Sequence, residues 1–242
     1  MNEVNYTHST EFHNEKAALS VLPYVFKLAP VKSIIDIGCG TGSWLSASKK
    51  LGIKEVKGID GIKVDESIFL LEEDEFILHN LKEPLLPGKR FDLCICLEVV
   101  EHLPGSAADN MIDIMTDHAD LILFSAAIPD QTGDHHINEQ WPDYWQKKFK
   151  AKGFYAYDIL RPMFWDNEDV DWWYRQNLLL YATKDKAREL GDPEEKVLSL
   201  VHPELLKMKE ADLVRAKFLI KDHIEKPRFF SALKKVYRSF TT

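Results

Sequence analysis

The stretch Ile34-Ile35-Asp36-Ile37-Gly38-Cys39-Gly40-Thr41-Gly42 runs from an apolar segment of strand length straight into glycines at alternate positions. Such an apolar run fits a strand covered on both faces. The glycines fit a turn whose backbone approaches a ligand, where side chains would fill the space. Trp44–Lys50 then reads as a helix. Outward from this unit, Ser33–Ile37 is the first strand, Val56–Ile59 the second, Phe76–Leu78 a short third, Phe91–Leu97 the fourth and Leu121–Ser125 the fifth. Tyr155–Leu160 and Asn177–Ala182 are expected to form an antiparallel hairpin at the sheet edge, with Arg161–Arg175 as its insertion. Amphipathic spacing predicts helices at Glu11–Leu28, from Val99 to near Pro104, at Ala107–Thr116 and at Pro142–Lys152. The first carries Ala17, Ala18, Val21, Leu22 and Val25 on one stripe, with Pro23 as a point of kinking. This alternation predicts an α/β fold: a doubly wound, mostly parallel seven-stranded sheet with helices on both faces. The expected division is a helical segment at 1–29, a core at 30–183 and a charged helical extension at 184–242.

Composition narrows the function classes. The chain has 242 residues, 45% hydrophobic, and 31 Lys+Arg against 39 Asp+Glu give a net charge of −8. Apolar content of this size builds a core, which excludes general disorder, and the acidic balance disfavours a nucleic-acid partner. Cys39, Cys94 and Cys96 lie in apolar or glycine-rich stretches, as reduced thiols do. With no apolar signal core and no membrane-length apolar run, the expected location is cytoplasmic.

A dinucleotide is the first ligand to weigh for the glycine turn, but position 43 is Ser43, so the G-x-G-x-x-G spacing fails. Asp36 beside the turn would also repel a pyrophosphate, whereas it would attract ammonium and sulfonium charges. That chemistry points to S-adenosylmethionine. Asp60 ends the second strand, where a carboxylate can accept from both ribose hydroxyls, and His79-Asn80-Leu81 follows the third strand on the adenine side. At these residues the sequence resembles class I S-adenosylmethionine-dependent methyltransferases, with D-x-G-C-G-x-G, an acidic strand end and a hydrophobic F-D strand, over roughly residues 30–182. The resemblance implies a Rossmann-like methyltransferase with donor contacts from Asp36, Gly38, Cys39, Gly40, Gly42, Trp44, Asp60, Gly61, Asn80, Leu81, Leu97 and Glu98.

Glu98-Val99-Val100-Glu101-His102 follows the fourth strand; on a helix its two carboxylates and imidazole would share one face. Asp134-His135-His136-Ile137-Asn138-Glu139 follows the fifth strand, and neighbouring strand ends open on the same rim. E-x-x-E-H with a later H-x-x-E resembles the divalent-metal site of ubiquinone-pathway and small-RNA ribose O-methyltransferases. That resemblance implies Glu98, Glu101, His102 and His136 as ligands of a cation such as Mg²⁺ or Mn²⁺. The plainer reading stays open: Glu98 touches the donor, Glu101-His102 ends a helix, and His135 or His136 serves as general base.

The substrate side is aromatic and polar: His136 to Trp145, then Phe164, Trp165, Trp172, Trp173 and Tyr174, then Arg175-Gln176-Asn177. Trp141 and Trp145, four apart, also suit the core face of a helix. Arg161 and Arg175 are candidates for an anionic group or for internal salt bridges. The string Phe124–Pro129, His136–Pro142 and Trp173–Asn177 resembles bacterial methyltransferases of surface-glycan synthesis, implying a sugar or nucleotide-linked sugar hydroxyl as acceptor. RNA ribose, a catechol-like phenol and a non-catalytic donor-binding subunit are the alternatives. Tyr6-Thr7-His8 is a candidate donor cover. Lys226, Arg228, Lys234, Lys235 and Arg238 form a cationic end suited to an anionic membrane, a glycan-machinery partner or solvent.

Overall fold

A computed structural model describes residues 15–188 and 190–225. The cationic end, Tyr6-Thr7-His8 and the first residues of the expected leading helix lie outside them. Unit one, residues 1–200, holds the sheet; residues 201–242 form a second compact unit. In chain order unit one contains α1 (Lys16–Leu28), β1 (Ser33–Ile37), α2 (Ser43–Lys50), β2 (Glu55–Asp60), β3 (Phe76–Leu78) and β4 (Leu93–Leu97). It continues with α3 (Ala108–His118), β5 (Leu121–Ser125), α4 (Pro142–Ala151), β6 (Phe154–Tyr157), α5 (Leu160–Phe164), α6 (Trp172–Asn177) and β7 (Leu179–Thr183).

The seven strands are ordered β3-β2-β1-β4-β5-β7-β6. All neighbours from β3 to β5 are parallel, and β7 runs antiparallel to both β5 and β6, as the expected edge hairpin requires. Strand alternation divides the core. Ile34 packs with Ala17, Ala18, Val21, Leu22 and Val25 of α1 and Leu45 of α2. Ile35 and Ile37 pack on the other face with Met111, Ile112 and Met115 of α3 and Trp145 and Phe149 of α4. The order reverses between β1 and β4, so their carboxyl ends flank the crevice where such sheets bind ligands.

Among the boundaries that differ from the sequence reading are those of the edge hairpin, where Leu160 begins α5 and Asn177 ends α6 instead of lying in strands, and three others have a plain local reason. The fourth strand begins at Leu93 because Asp92 turns aside: its Oδ2 accepts from the N–H groups of Lys32 (2.8 Å) and Ser33 (3.2 Å). The helix expected after Val99 is one 3₁₀ turn, Val100–His102, because Glu98 before it is left-handed (φ 53°) and Pro104 follows directly. Residues 184–200 are irregular rather than helical, with Ala187, Leu190 and Val197 buried. The Gln146 carboxamide fixes them, donating to the Glu194 carbonyl (3.0 Å) and accepting from the Val197 N–H (2.9 Å). Helix begins only at α7 (Pro203–Glu225), whose Leu206, Leu213, Phe218 and Ile220 are exposed. No described helix is long and apolar enough to cross a membrane.

Candidate active site

The donor side is built at the end of β1. Gly38, Gly40 and Gly42 are all left-handed, with φ of 82°, 52° and 80°, a region that L side chains enter at a cost of about 1–2 kcal/mol. What excludes side chains at two of them is protein. A Cβ on Gly38 would stand 2.4 Å from Val99 Cγ2, and one on Gly42 2.5 Å from Leu71 Cγ. Close packing within the protein is thus a reason for glycine at these positions beside the expected approach of a ligand. The turn hangs on β2: the Gly38 and Cys39 N–H groups donate to the Ile59 carbonyl at 2.7 and 3.2 Å. Asp60 closes it, Oδ2 accepting from Gly40 N–H and Oδ1 from Ile62 N–H, both at 2.9 Å. A carboxylate accepts about four hydrogen bonds, so these two are compatible with ribose hydroxyls as further donors.

Asp36, also buried, lies near Asp60; burial first and the Asp60 charge second push its carboxyl well above the usual aspartate range. Two buried carboxylates beside one backbone turn disfavour a pyrophosphate and favour a ligand bearing positive charge. The residues therefore fit the ammonium and sulfonium of S-adenosylmethionine. Other expected contacts sort by geometry. The Cys39 thiol is aimed at Gly58, and its N–H and carbonyl are engaged within the fold by the Ile59 carbonyl and the Gly42 N–H. Trp44 packs edge-on against Tyr174 with ring centroids 5.5 Å apart. Leu81 and Leu97 are buried walls. Asn80 is exposed, and its Oδ1 accepts from Lys82 N–H (3.2 Å) in its own turn. At Gly61 a Cβ would meet nothing nearer than 3.6 Å, so glycine is not demanded there.

The acceptor side joins the turn after β4 to the loop after β5. The Glu101 carbonyl accepts the N–H groups of Ile137 (2.9 Å) and Asn138 (3.0 Å), strapping the two together. Glu101 is fully buried; its Oε1 accepts from Ala127 N–H (3.2 Å), and its Oε2 has no hydrogen-bond partner among the described residues. Burial and the neighbouring Glu98 carboxylate push Glu101 well above the usual range. The His102 and His136 rings meet edge to face at 4.8 Å. Ligand atoms of Glu101, His102 and His136 all lie within 4.8 Å of one another, a grouping that could hold a metal ion.

Both imidazoles are oriented from behind. His136 Nδ1 lies 2.8 Å from Glu139 Oε1, and since a carboxylate accepts, the proton sits on Nδ1 and Nε2 is left for the group. The same Glu139 oxygen accepts the Thr132 N–H at 2.7 Å. The His135 backbone hydrogen-bonds His102, while burial and the nearby His136 push His102 down to about 4 and keep it neutral. The His135 ring stays outside the group, half exposed and 3.7 Å from Asp134 Oδ1. Asp130, Thr132 and His135 share the left-handed conformation of Glu98, so the non-glycine strain found among the described residues is confined to this rim. A cleft of about 330 Å³ opens beside it, lined by Thr132, Gly133, His136, Ile137 and Glu139.

Glu98 does not share a helical face with Glu101 and His102, a correction that follows from the left-handed backbone at Glu98. Its Oε2 instead accepts from Gln131 Nε2 (2.8 Å) and its Oε1 from Asn177 Nδ2 (3.1 Å). Gln131, Gln176 and Asn177 are buried carboxamides; the sequence places Gln176-Asn177 on the substrate side and gives Gln131 no role. The available signal was Gln176-Asn177 standing directly before the all-apolar run Leu178–Leu180. Arg161 is buried in a bidentate pair with Asp158 (2.8 and 2.5 Å) and Arg175 Nη1 donates to the Trp165 carbonyl (3.4 Å), so both have internal partners. Trp145 is core, whereas Trp141 is 38% exposed.

The methyltransferase-domain family matches residues 10–176. The chain belongs to that family. A 114-residue segment is 31% identical to the ribosomal protein L11 methyltransferase of Fusobacterium nucleatum subsp. nucleatum, covering 43% of this chain and 35% of that protein. The chain thus spans about a third of that relative's length (35%). Among solved structures, DesVI of Streptomyces venezuelae superposes with a TM-score of 0.52 at 12% identity, covering 69% of this chain and 92% of that one. CalS10, an amino pentose methyltransferase of Micromonospora echinaspora, gives 0.52 at 14% identity over 75% and 99%. The magnesium protoporphyrin IX methyltransferase of Synechocystis PCC 6803 gives 0.50 at 19% over 76% and 86%. These likenesses are of fold; membership of the methyltransferase-domain family rests on the match over residues 10–176.

Proposed function

We propose that this methyltransferase transfers its methyl group to a hydroxyl of a sugar or nucleotide-linked sugar in surface-glycan synthesis. The observation that carries the reading is the Glu101–His102–His136 group on the same rim as the glycine turn and beside the cleft. Bound S-adenosylmethionine supplies a methyl on a positively charged sulfur. A divalent cation held by Glu101, His102 and His136 would make an acceptor hydroxyl more acidic. The donor set fits such an ion, because Glu101 Oε2 is buried with no hydrogen-bond partner among the described residues and both imidazoles are braced by acceptors behind them. Mixed oxygen and nitrogen ligands suit Mn²⁺ better than Mg²⁺. Asp36 and the turn position the donor, Asp60 its ribose, and His136 with Glu98 the acceptor oxygen. In-line transfer then forms the O–CH₃ bond as the S–CH₃ bond breaks, the demethylated donor leaves as a neutral thioether, and the hydroxyl proton passes to Glu98 or His135, with both reactants held at contact distance and water kept out. The half-buried faces of Trp172 and Trp173, 5.6 Å apart, offer an apolar wall for the C–H side of a sugar ring.

The test is methyl transfer from labelled donor to a panel of nucleotide sugars and glycan fractions, with catechols and RNA as comparison acceptors, with and without EDTA. Transfer to sugar that EDTA abolishes and Mn²⁺ restores is expected. Transfer only to RNA or phenol overturns the acceptor assignment, and full turnover in EDTA overturns the cation and leaves His135 or His136 as base. For the cationic end, Lys226 to Arg238, we propose contact with an anionic membrane surface, where each cation near the surface contributes about 1 kcal/mol.

A further inference from the structure

We infer that the rim holds a three-residue cation site, Glu101, His102 and His136, and that a clamp of three buried carboxamides withholds Glu98 from it. The inference rests on the cation reading above and departs from the four-ligand set that the sequence resemblance implies.

Glu98 reaches the edge of the cluster, its carboxyl in side-chain contact with that of Glu101 and its charge felt by His136, yet it is absent from the grouping of Glu101, His102 and His136. Both of its oxygens are already held, by Gln131 Nε2 at 2.8 Å and Asn177 Nδ2 at 3.1 Å. The clamp is braced internally. Gln131 Oε1 accepts from Asn177 Nδ2 (2.9 Å) and Gln176 Nε2 (3.0 Å), and Gln176 Nε2 also reaches Asn177 Oδ1 (3.1 Å). Carboxylates only accept, so Gln131 and Asn177 must present their NH₂ groups to Glu98, which fixes both orientations. The backbone agrees: Glu98 is held left-handed while its N–H donates to the Ser125 carbonyl (3.1 Å) and hydroxyl (3.2 Å).

Three protein ligands leave open positions on a cation, as catalytic sites do, and a fourth carboxylate would take one of them. Gln131 and Asn177, supported by Gln176, are on this account positioning residues. They keep Glu98 beside the open position, where it can hydrogen-bond whatever oxygen arrives there.

Mn²⁺ alone, titrated into the full chain by calorimetry and by the loss of free-ion EPR signal, separates the possibilities without an acceptor. Glu98→Gln should bind Mn²⁺ within about twofold of wild type, and Glu101→Gln or His136→Ala should weaken it at least tenfold. Replacing Gln131 and Asn177 together by Ala should tighten Mn²⁺ several-fold by freeing Glu98, and adding Glu98→Gln to that pair should cancel the gain. A Glu98→Gln loss as large as that of Glu101→Gln overturns the inference while sparing the cation reading. So does an unchanged affinity in the folded double variant. If that variant does not fold, judged by donor binding, the Glu98→Gln comparison alone decides. Wild type that fails to bind Mn²⁺ overturns the cation reading and this inference with it.

Discussion

At Gly38 a single methyl group decides whether the donor turn closes. Alanine there must adopt a φ of 82° and place its Cβ 2.4 Å from Val99. The two costs, about 1–2 kcal/mol for the backbone and about 1–3 for overpacking, predict that Gly38→Ala loses about 2–5 kcal/mol in urea unfolding. Adding Val99→Ala should recover only the packing share. Asp36 gives a pH signature. Its folded-state pKa is raised, so in the donor-free protein it contributes stability at low pH that is lost as pH climbs through that raised value. A bound ammonium favours the ionised form, so donor affinity should increase with pH above the ordinary aspartate pKa of about 3.9 and then level off. Calorimetry in buffers of different ionisation enthalpy should show proton release. Asp36→Asn should flatten the profile and weaken the donor about tenfold or more, as loss of a charge-assisted hydrogen bond does. Gly133 is a subtler case. A Cβ there would stand 2.2 Å from His136 Nε2, the end of a side chain that can move. Gly133→Ala should therefore leave the melting temperature within a few degrees of wild type while weakening Mn²⁺ about tenfold.

Elements show why part of the site was legible in sequence and part was not. β1, β3 and β5 were read to the residue, and so was the buried stripe of α1, because strands of a covered parallel sheet are unbroken apolar runs and α1 has a clean helical period. The meeting of Glu101, His102 and His136 was also legible, since adjacent parallel strands deliver their following loops to one rim. Periodicity misled at Val99–Pro104, where E-x-x-E-H has helical spacing but the chain makes one 3₁₀ turn after a left-handed residue. Strain of that kind is set by packing against Gly38 and Ser125 rather than by local propensity. The clamp was hidden because it joins residues 98, 131 and 177, which become neighbours only when β7 inserts between β5 and β6. The loop after β5 depends on Glu139, which holds both His136 and the Thr132 N–H. Glu139→Ala should thus weaken Mn²⁺ about 10–100-fold, more than Gly133→Ala, and raise hydrogen exchange at Thr132.

At the scale of the whole molecule, the candidate site lies within the first unit, residues 1–200, and residues 201–242 form a second unit. The formal charge of −8 conceals a cationic end. The full chain should sediment with vesicles of anionic lipid and stay in solution with neutral ones, and a chain ending at His223 should lose that retention without change in donor affinity. Equal sedimentation of the two chains would reject the membrane assignment.

The contact of Gly38 with Val99 also bears on how such a chain can diversify. Donor turn and acceptor turn meet there as a mortise and tenon, cut by two residues 61 positions apart in sequence (99 − 38). Swapping residues 126–141 between relatives would change the lining of the cleft and leave that joint alone. Exchanging the turn after β4 would break it unless the graft carries a side chain no larger than valine at its second position. The cleft can therefore be reshaped through the loop after β5 with the joint inherited whole.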